Sequence, residues 1–142
     1  MTPYDDNNIF AKILRGEIPC YQVFEDADTF AFLDIMPRTP GHTLVIPKSP
    51  ARNLLDIATA DLAKTIQSVQ KIALAAKSAF EADGITLGQF SEAAGGQEVF
   101  HLHFHVIPRK TGEPMKPPAS IREAPEILED HAKRLRAALA LT

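Results

Sequence analysis

The chain has 142 residues, 45% hydrophobic and 23% charged, and a mean hydropathy of -0.08, a balance that fits one soluble folded unit and excludes a disordered one. Its net charge of -3 and pI of about 5.9 exclude a protein that binds chiefly by neutralising many nucleic-acid phosphates, and no apolar run approaches a membrane span. The opening MTPYDDNNIF is acidic where a secretory signal is basic, so a cytoplasmic location is expected; the lone Cys20 cannot form an intrachain disulfide and reads as a small buried hydrophobe.

Ile9, Phe10, Ile13 and Leu14 recur at helical spacing after the polar residues 5–8 and stop at Gly16, which predicts a short amphipathic helix with a glycine C-terminal cap. Residues 20–24 and 29–34 read as strands joined by the turn Glu25-Asp26-Ala27-Asp28. After the breaker Met36-Pro37-Arg38-Thr39-Pro40-Gly41, residues 42–47 form a third strand that Pro47 can end. A period near 3.6 through Leu62, Ile66, Val69, Ile72, Ala76 and Phe80 predicts a long helix over 59–83, with Thr59 as its N-cap and Gly84 as its terminator. Residues 85–90 and 99–108 are strands around the loop SEAAGGQ. A Pro-rich connector over 109–118 then leads to a helix from Pro125, with Leu128, Ala132, Leu135 and Leu139 on one face. Strands interrupted by one long helix favour an α+β antiparallel sheet over a doubly wound parallel one, and no GxGxxG or GxxxxGK[ST] motif is present.

The chemistry sits in Gly95-Gly96-Gln97-Glu98-Val99-Phe100-His101-Leu102-His103-Phe104-His105. Side chains alternate between the faces of a strand, so His101, His103 and His105 share one face while Leu102, Phe104 and Val106 fill the other. Such a row of imidazoles serves either metal ligation or nucleophilic and acid–base work near neutral pH. The small-residue loop Ala93-Ala94-Gly95-Gly96-Gln97 lets backbone N–H groups approach an anion. That places an oxyanion cradle next to a nucleophile and favours group transfer over metal binding.

The segment His101-Leu102-His103-Phe104-His105-Val106-Ile107 resembles the His-φ-His-φ-His-φ-φ signature of the histidine triad (HIT) family. Ile9-Phe10-Ala11-Lys12-Ile13 with Gly16-Glu17-Ile18-Pro19 is similar to the family's opening helix. Phe30-Ala31-Phe32-Leu33-Asp34-Ile35 is similar to its nucleoside segment, and Gly41-His42-Thr43-Leu44-Val45-Ile46-Pro47-Lys48 to its fourth-histidine strand. The likeness covers about residues 7–110 of one domain spanning 1–142, and it is nearest the small Hint-like branch. The resemblance implies a HIT-like antiparallel sheet with one long central helix, a short N-terminal helix and a C-terminal helix.

It further implies that His103 attacks the α-phosphorus of a purine nucleotide conjugate and forms a covalent nucleotidyl-histidine. His105 would protonate the leaving group while His101 and His42 orient the imidazoles. The backbone of Gly96, Gln97, Glu98 and Val99, with Ser91 nearby, would hold phosphate oxygens. Asp34 would hold the ribose, and Ile9, Phe10, Ile13, Phe32 and Ile35 would wall the base. No cofactor or metal is implied, and a homodimer joined at a sheet edge and the long helix is.

The departures from the family are specific. Asn8 and Ala11 stand where many bacterial relatives carry a zinc-binding Cys-x-x-Cys, and Ser91 stands where the loop usually has Asn. Glu98 replaces a usual Ser or Thr, and a carboxylate there favours a cationic amine such as a lysyl group in the leaving position. The C-terminal helix has no counterpart in the compact Hint-like proteins, and His131 on it reads as a surface or edge residue. The expected activity is nucleoside phosphoramidate hydrolysis. Dinucleoside polyphosphate hydrolysis and a non-catalytic nucleotide-binding regulator are the alternatives.

Overall fold

A computed structural model describes residues 2–142. Helix α1 (Ile9–Leu14) starts at Asn8, whose side chain accepts from the Ala11 N–H, and ends at Gly16 in the left-handed region with φ 75°. The N–H of Glu17 reaches back to Lys12 O and that of Gly16 to Ile13 O, which is the Schellman arrangement that a glycine at this position permits.

Five strands follow: β1 (Gln22–Glu25), β2 (Thr29–Leu33), β3 (Thr43–Pro47), β4 (Gly84–Gly88) and β5 (Phe104–Arg109). They form one sheet in the order β1-β2-β3-β5-β4, with antiparallel pairing at each junction. Helix α2 (Thr59–Ala79) carries the chain from β3 to the far edge, and α3 (Pro125–Ala140) closes the molecule. This is the α+β antiparallel architecture expected. No helix among the described residues is long and apolar enough to cross a membrane.

The alternation of side chains along the strands builds two cores. Ala31, Leu33, Val45, Leu102, Phe104 and Val106 face α2 and α3, where they meet Val69, Ile72, Ala76, Leu128, Ala132 and Leu135. Phe30, Phe32, Leu44 and Ile46 face the other way and pack on Phe10 and Ile13 of α1. The opposed parity assigns Asp34, His42 and His105 to the α1 side, at one end of the sheet. Leu44 pairs with both Phe32 and His105, so these positions sit abreast on three adjacent strands.

Several sequence expectations need correcting. Thr59 is the first helical residue rather than the N-cap; Ala58 occupies the cap position and offers no side-chain acceptor. The helix stops at Ala79, not near residue 83, because Phe80 turns inward and Glu81 adopts φ 49°. Glu81 thus takes the conformation for which glycine was expected, and Gly84 opens β4 instead. His131 is buried, its ring edge-on to Phe80 at 5.1 Å. Phe80 in turn lies against Gly41, where an added Cβ would sit 2.5 Å from the ring, and φ 88° there is one that L side chains rarely adopt. Gly41 therefore lets Phe80, braced by α3, support the residue that leads directly into His42.

The largest correction concerns the histidine strand. Ladder pairing begins at Phe104, five residues later than the expected start at Val99. Upstream, the Leu102 N–H donates to Ala51 O and the His101 ring donates to Pro47 O, so the chain bonds to the segment leaving β3 rather than to its ladder. The inward and outward alternation nevertheless persists. Leu102 is fully buried in the helix-side core, and the three histidines lie on the opposite side.

Candidate active site

The described fold gathers His42, His101, His103, His105 and Asp34 at the α1 side of the sheet, and the partners of each ring fix where its proton resides. The Arg38 N–H donates to His42 Nδ1 at 3.0 Å, so neutral His42 carries its hydrogen on Nε2 and donates it to His105 Nδ1 at 2.9 Å. That leaves the hydrogen of His105 on Nε2. On the other branch, a carbonyl can only accept, so the contact of His103 Nδ1 with His101 O at 2.7 Å places the His103 hydrogen on Nδ1. Its Nε2 then presents a lone pair. By the same logic His101 donates from Nε2 to Pro47 O at 2.8 Å, and its Nδ1 accepts from the hydroxyl of Tyr4 at 2.7 Å.

The rings of His103 and His105 are 5.0 Å apart, centroid to centroid, and Phe10 meets His103 edge-on at 4.9 Å. Phe90 meets His105 at 5.7 Å. The arrangement thus places a lone pair and an N–H donor side by side, held by backbone groups and aromatic edges, which suits nucleophilic attack with assisted departure.

Burial sets the electrostatics. His42 is pushed down to about 3 by desolvation, then by the charges of His105, Arg38 and His103. His101 falls to about 4, chiefly by burial, and His105 to about 4 by burial and the neighbouring His103 and Arg38 charges. Burial also lowers His103, with the bond to the His101 carbonyl opposing it. All four are therefore neutral at pH 7, the state in which the tautomers above apply. Asp34 moves the other way: burial raises its pKa, opposed by the Met36 N–H that bonds one carboxylate oxygen at 2.8 Å.

These depressed values predict an acid-labile fold. An unfolded histidine titrates near pH 6.5, so between that value and about 4 the unfolded chain binds protons at His42, His101 and His105 that the folded chain does not. Stability then drops as pH falls, by about 1.4 kcal/mol per pH unit for each such histidine. Asp34 acts in the opposite sense, one group against the site histidines and His131, whose pKa burial also lowers. Thermal midpoints measured from pH 7 to pH 4.5 are expected to fall steeply below about pH 6; a flat profile would show that the imidazoles protonate freely inside the fold.

The loop before the triad is a short 3-10 turn, Ala93–Gly95, leading through Gly96 into Gln97. The amides of Gly96 and Gln97 are already used, donating to Ala93 O and Glu92 O, so the expected cradle narrows. Among the described residues the amides of Glu98 and Val99 have no protein acceptor. The Gln97 side chain is structural: it accepts from Asn53 and from the Glu92 N–H, and donates to Arg52 O and Val99 O. Glu92, at φ 65°, is held by a two-pronged ion pair with Arg52 at 2.8 and 3.1 Å and by Asn53 at 2.6 Å. Arg52 also stacks over Phe100 at 4.1 Å. This half-buried clamp went unseen in the sequence because its two halves are about 40 residues apart, with no spacing signal to join them.

The remaining expected residues divide. Phe10, Ile13 and Phe32 cluster beside the histidines with Val99 packed on them, whereas Ile35 packs into the helix-side core. Ile9 is 53% exposed. Ser91 exchanges hydrogen bonds with the Gln89 side chain. Glu98 is exposed and makes no polar side-chain contact among the described residues. Asp34 Oδ2 lies 3.6 Å from His42 Nε2, adjoining the histidines. Asp34, His42 and His105 bring ligand atoms within 4.8 Å of one another and could hold a cation. Zinc with bonds near 2.05 Å would need ring nitrogens about 3.3 Å apart, and so would have to break the His42–His105 hydrogen bond.

The HIT domain model matches residues 15–112, and the chain belongs to the HIT domain family. It is 49% identical over 106 residues to Protein hit of Bacillus subtilis, covering 73% of this chain and 72% of that one. It is 35% identical over 127 residues to Adenylylsulfatase HINT3 of Arabidopsis thaliana, covering 89% and 64% respectively. Among solved structures, a Hit-like protein involved in cell-cycle regulation from Bartonella henselae superimposes with a TM-score of 0.87 at 58% identity, over 96% of this chain and 99% of that one.

Proposed function

We propose that the chain is a nucleotide hydrolase that cleaves purine nucleoside phosphoramidates through a nucleotidyl-His103 intermediate. The observation that carries this reading is the tautomer of His103: its Nδ1–H is committed to the His101 carbonyl, so Nε2 offers a lone pair beside the Nε2–H of His105. In the first step Nε2 of His103 bonds to the α-phosphorus, the phosphorus–nitrogen bond breaks, and the amine leaves with the His105 proton. The negative charge left on His105 is offset by the positive charge on the nucleotidylated ring 5.0 Å away. Water then attacks phosphorus, returns a proton to His105 and frees His103. The amides of Glu98 and Val99 hold non-bridging oxygens, Asp34 receives the ribose hydroxyls, and Phe10, Ile13 and Phe32 wall the base with exposed Ile9 at the rim. No metal is needed in any step.

The leaving group is set by what lies beyond phosphorus. The unpaired Glu98 carboxylate favours a cationic amine such as a lysyl group. A second reading, release of an anion from an adenylyl anhydride, is favoured by the likeness to the Arabidopsis adenylylsulfatase. Turnover without added metal is the test, comparing adenosine phosphoramidates of lysine and of a neutral amine with adenylyl sulfate and a diadenosine polyphosphate. The lysyl compound is expected to have the highest kcat/KM. A preference for sulfate or polyphosphate would transfer the assignment to those readings, and binding without product from any of them would support a regulatory nucleotide-binding module.

The same reading includes a homodimer in the cytoplasm. Edge strand β1 is closed, since Arg136 of α3 donates to Gln22 O at 2.7 Å. The opposite edge, β4, ends the sheet with Leu87 48% exposed, and α2 presents Leu74 and Ile66 at 63% and 42%. Pairing two copies there would continue the sheet and cover these side chains. Light scattering after size exclusion is expected to give twice the chain mass, and a monomer would overturn this.

A further inference from the structure

We propose that Tyr4 is a positioning residue for the histidine relay: its hydroxyl donates to His101 Nδ1 and so holds the His101 ring and carbonyl where that carbonyl keeps the lone pair of His103 on Nε2. The inference rests on the nucleotidyl-transfer reading and extends it to a residue upstream of the HIT domain match, which begins at residue 15. The geometry is direct. His101 is 1% exposed, and its two ring nitrogens are bound at opposite ends, by Pro47 O at 2.8 Å and by Tyr4 Oη at 2.7 Å. A ring tethered at both nitrogens cannot turn, and the peptide that bears its carbonyl is held on its other side by the Leu102 N–H, which donates to Ala51 O at 2.9 Å. The carbonyl of that peptide is the acceptor of His103 Nδ1–H at 2.7 Å.

Tyr4 is itself fixed. Its oxygen accepts from Asn8 Nδ2 at 3.1 Å, and Asn8 also donates to Asp5 O at 2.8 Å while capping α1 through its own side-chain oxygen. The Tyr4 ring packs edge-on against His101 at 5.6 Å. Burial raises the Tyr4 pKa, so the phenol keeps the proton that it donates. The residues before α1 therefore connect two supports of the nucleophile: Phe10, which edges onto the His103 ring, and the His101 carbonyl, which sets its tautomer.

Tyr4→Phe removes one oxygen from a half-buried side chain and leaves the ring contact in place. With an adenosine phosphoramidate as substrate, kcat is expected to fall about tenfold while KM stays within about twofold. In a His101→Gln background the same substitution is expected to change kcat by less than about twofold, because the group through which Tyr4 acts is gone. Independently of turnover, nitrogen-15 NMR of the imidazoles is expected to show the His103 Nδ1–H signal sharp in the wild type and broadened by exchange in Tyr4→Phe. Unchanged kcat in Tyr4→Phe, or an equal loss in the His101→Gln background, overturns the inference. A wild type without turnover overturns the nucleotidyl-transfer reading instead. In that case the His103 signal decides on Tyr4: broadening supports the positioning role and an unaltered signal overturns it.

Discussion

His103→Ala is expected to lower kcat/KM on a nucleoside phosphoramidate by about 10⁴-fold or more, with nucleotide affinity changed far less. The reason lies in the ground state. In the proposed reaction His103 needs no base to activate it, since its hydrogen is already held on Nδ1 by the His101 carbonyl, which leaves the lone pair on Nε2. No other ring of the cluster is prepared in this way. His42 and His105 both carry their hydrogens on Nε2, and the Nδ1 lone pairs of all three other rings are engaged by N–H or O–H donors. Removal of His103 therefore leaves no substitute nucleophile, and direct attack by water must proceed in one difficult step rather than two easier ones. Binding is expected to survive because, in the proposed reaction, the phosphate is held by the amides of Glu98 and Val99, whose loop is fixed by the Arg52–Glu92–Asn53–Gln97 clamp and not by the His103 ring. The accompanying check is covalent. Wild type quenched in alkali during turnover is expected to carry one nucleotidyl group, mapped to the peptide containing His103. An adduct on a different residue, or full turnover by His103→Ala, would remove this histidine from the nucleophile's role.

Local chemistry made much of this fold legible. The cap at Gly16, the start of α3 at Pro125 and the apolar period of α3 all depend on near neighbours in sequence and lie where the pattern placed them, whereas in α2 Val69, Ile72 and Ala76 are buried as the period requires but Ile66 is exposed and Thr65 is buried in its stead. Distant partners override local preference in two of the errors, the histidine strand and His131, and another is a shift of one residue at a helix start. Thr59 was a fair N-cap candidate by type, yet the helix starts one residue earlier than that role requires. Residues 99–103 have the composition of a strand, but Ala51 and Pro47 capture their hydrogen bonds. His131 is polar by type and buried in fact, because Phe80 offers it an aromatic face. In the site, the alternating histidines could be seen directly, since Leu102 still turns to the helix-side core and the histidines away from it despite the loss of ladder pairing. Their tautomers could not be seen. Those are set by an amide at Arg38, carbonyls at Pro47 and His101, and a phenol at Tyr4, none of which the triad's spacing identifies.

The second large effect concerns His105, and it should depend on the leaving group. His105→Ala is expected to slow cleavage of an alkylamine phosphoramidate by about 10²- to 10⁴-fold, the usual contribution of a positioned proton donor. With the 4-nitrophenyl ester of adenylate, whose phenolate departs without a proton, the loss should shrink to about tenfold or less. The structural basis is the relay of two neutral rings. The Arg38 amide selects the Nε2–H tautomer of His42, and His42 then selects the Nε2–H tautomer of His105, so the acid is aimed by a chain of bonds that starts in the backbone. The depressed value near 4 for His105 means that it acts from its neutral state at physiological pH. Its contribution to the amine reaction should thus persist without a break from pH 6 to pH 8. An equal loss with both leaving groups would show that His105 supports the geometry of His103 rather than departure, and a pH step near 6.5 would show that it works as an imidazolium.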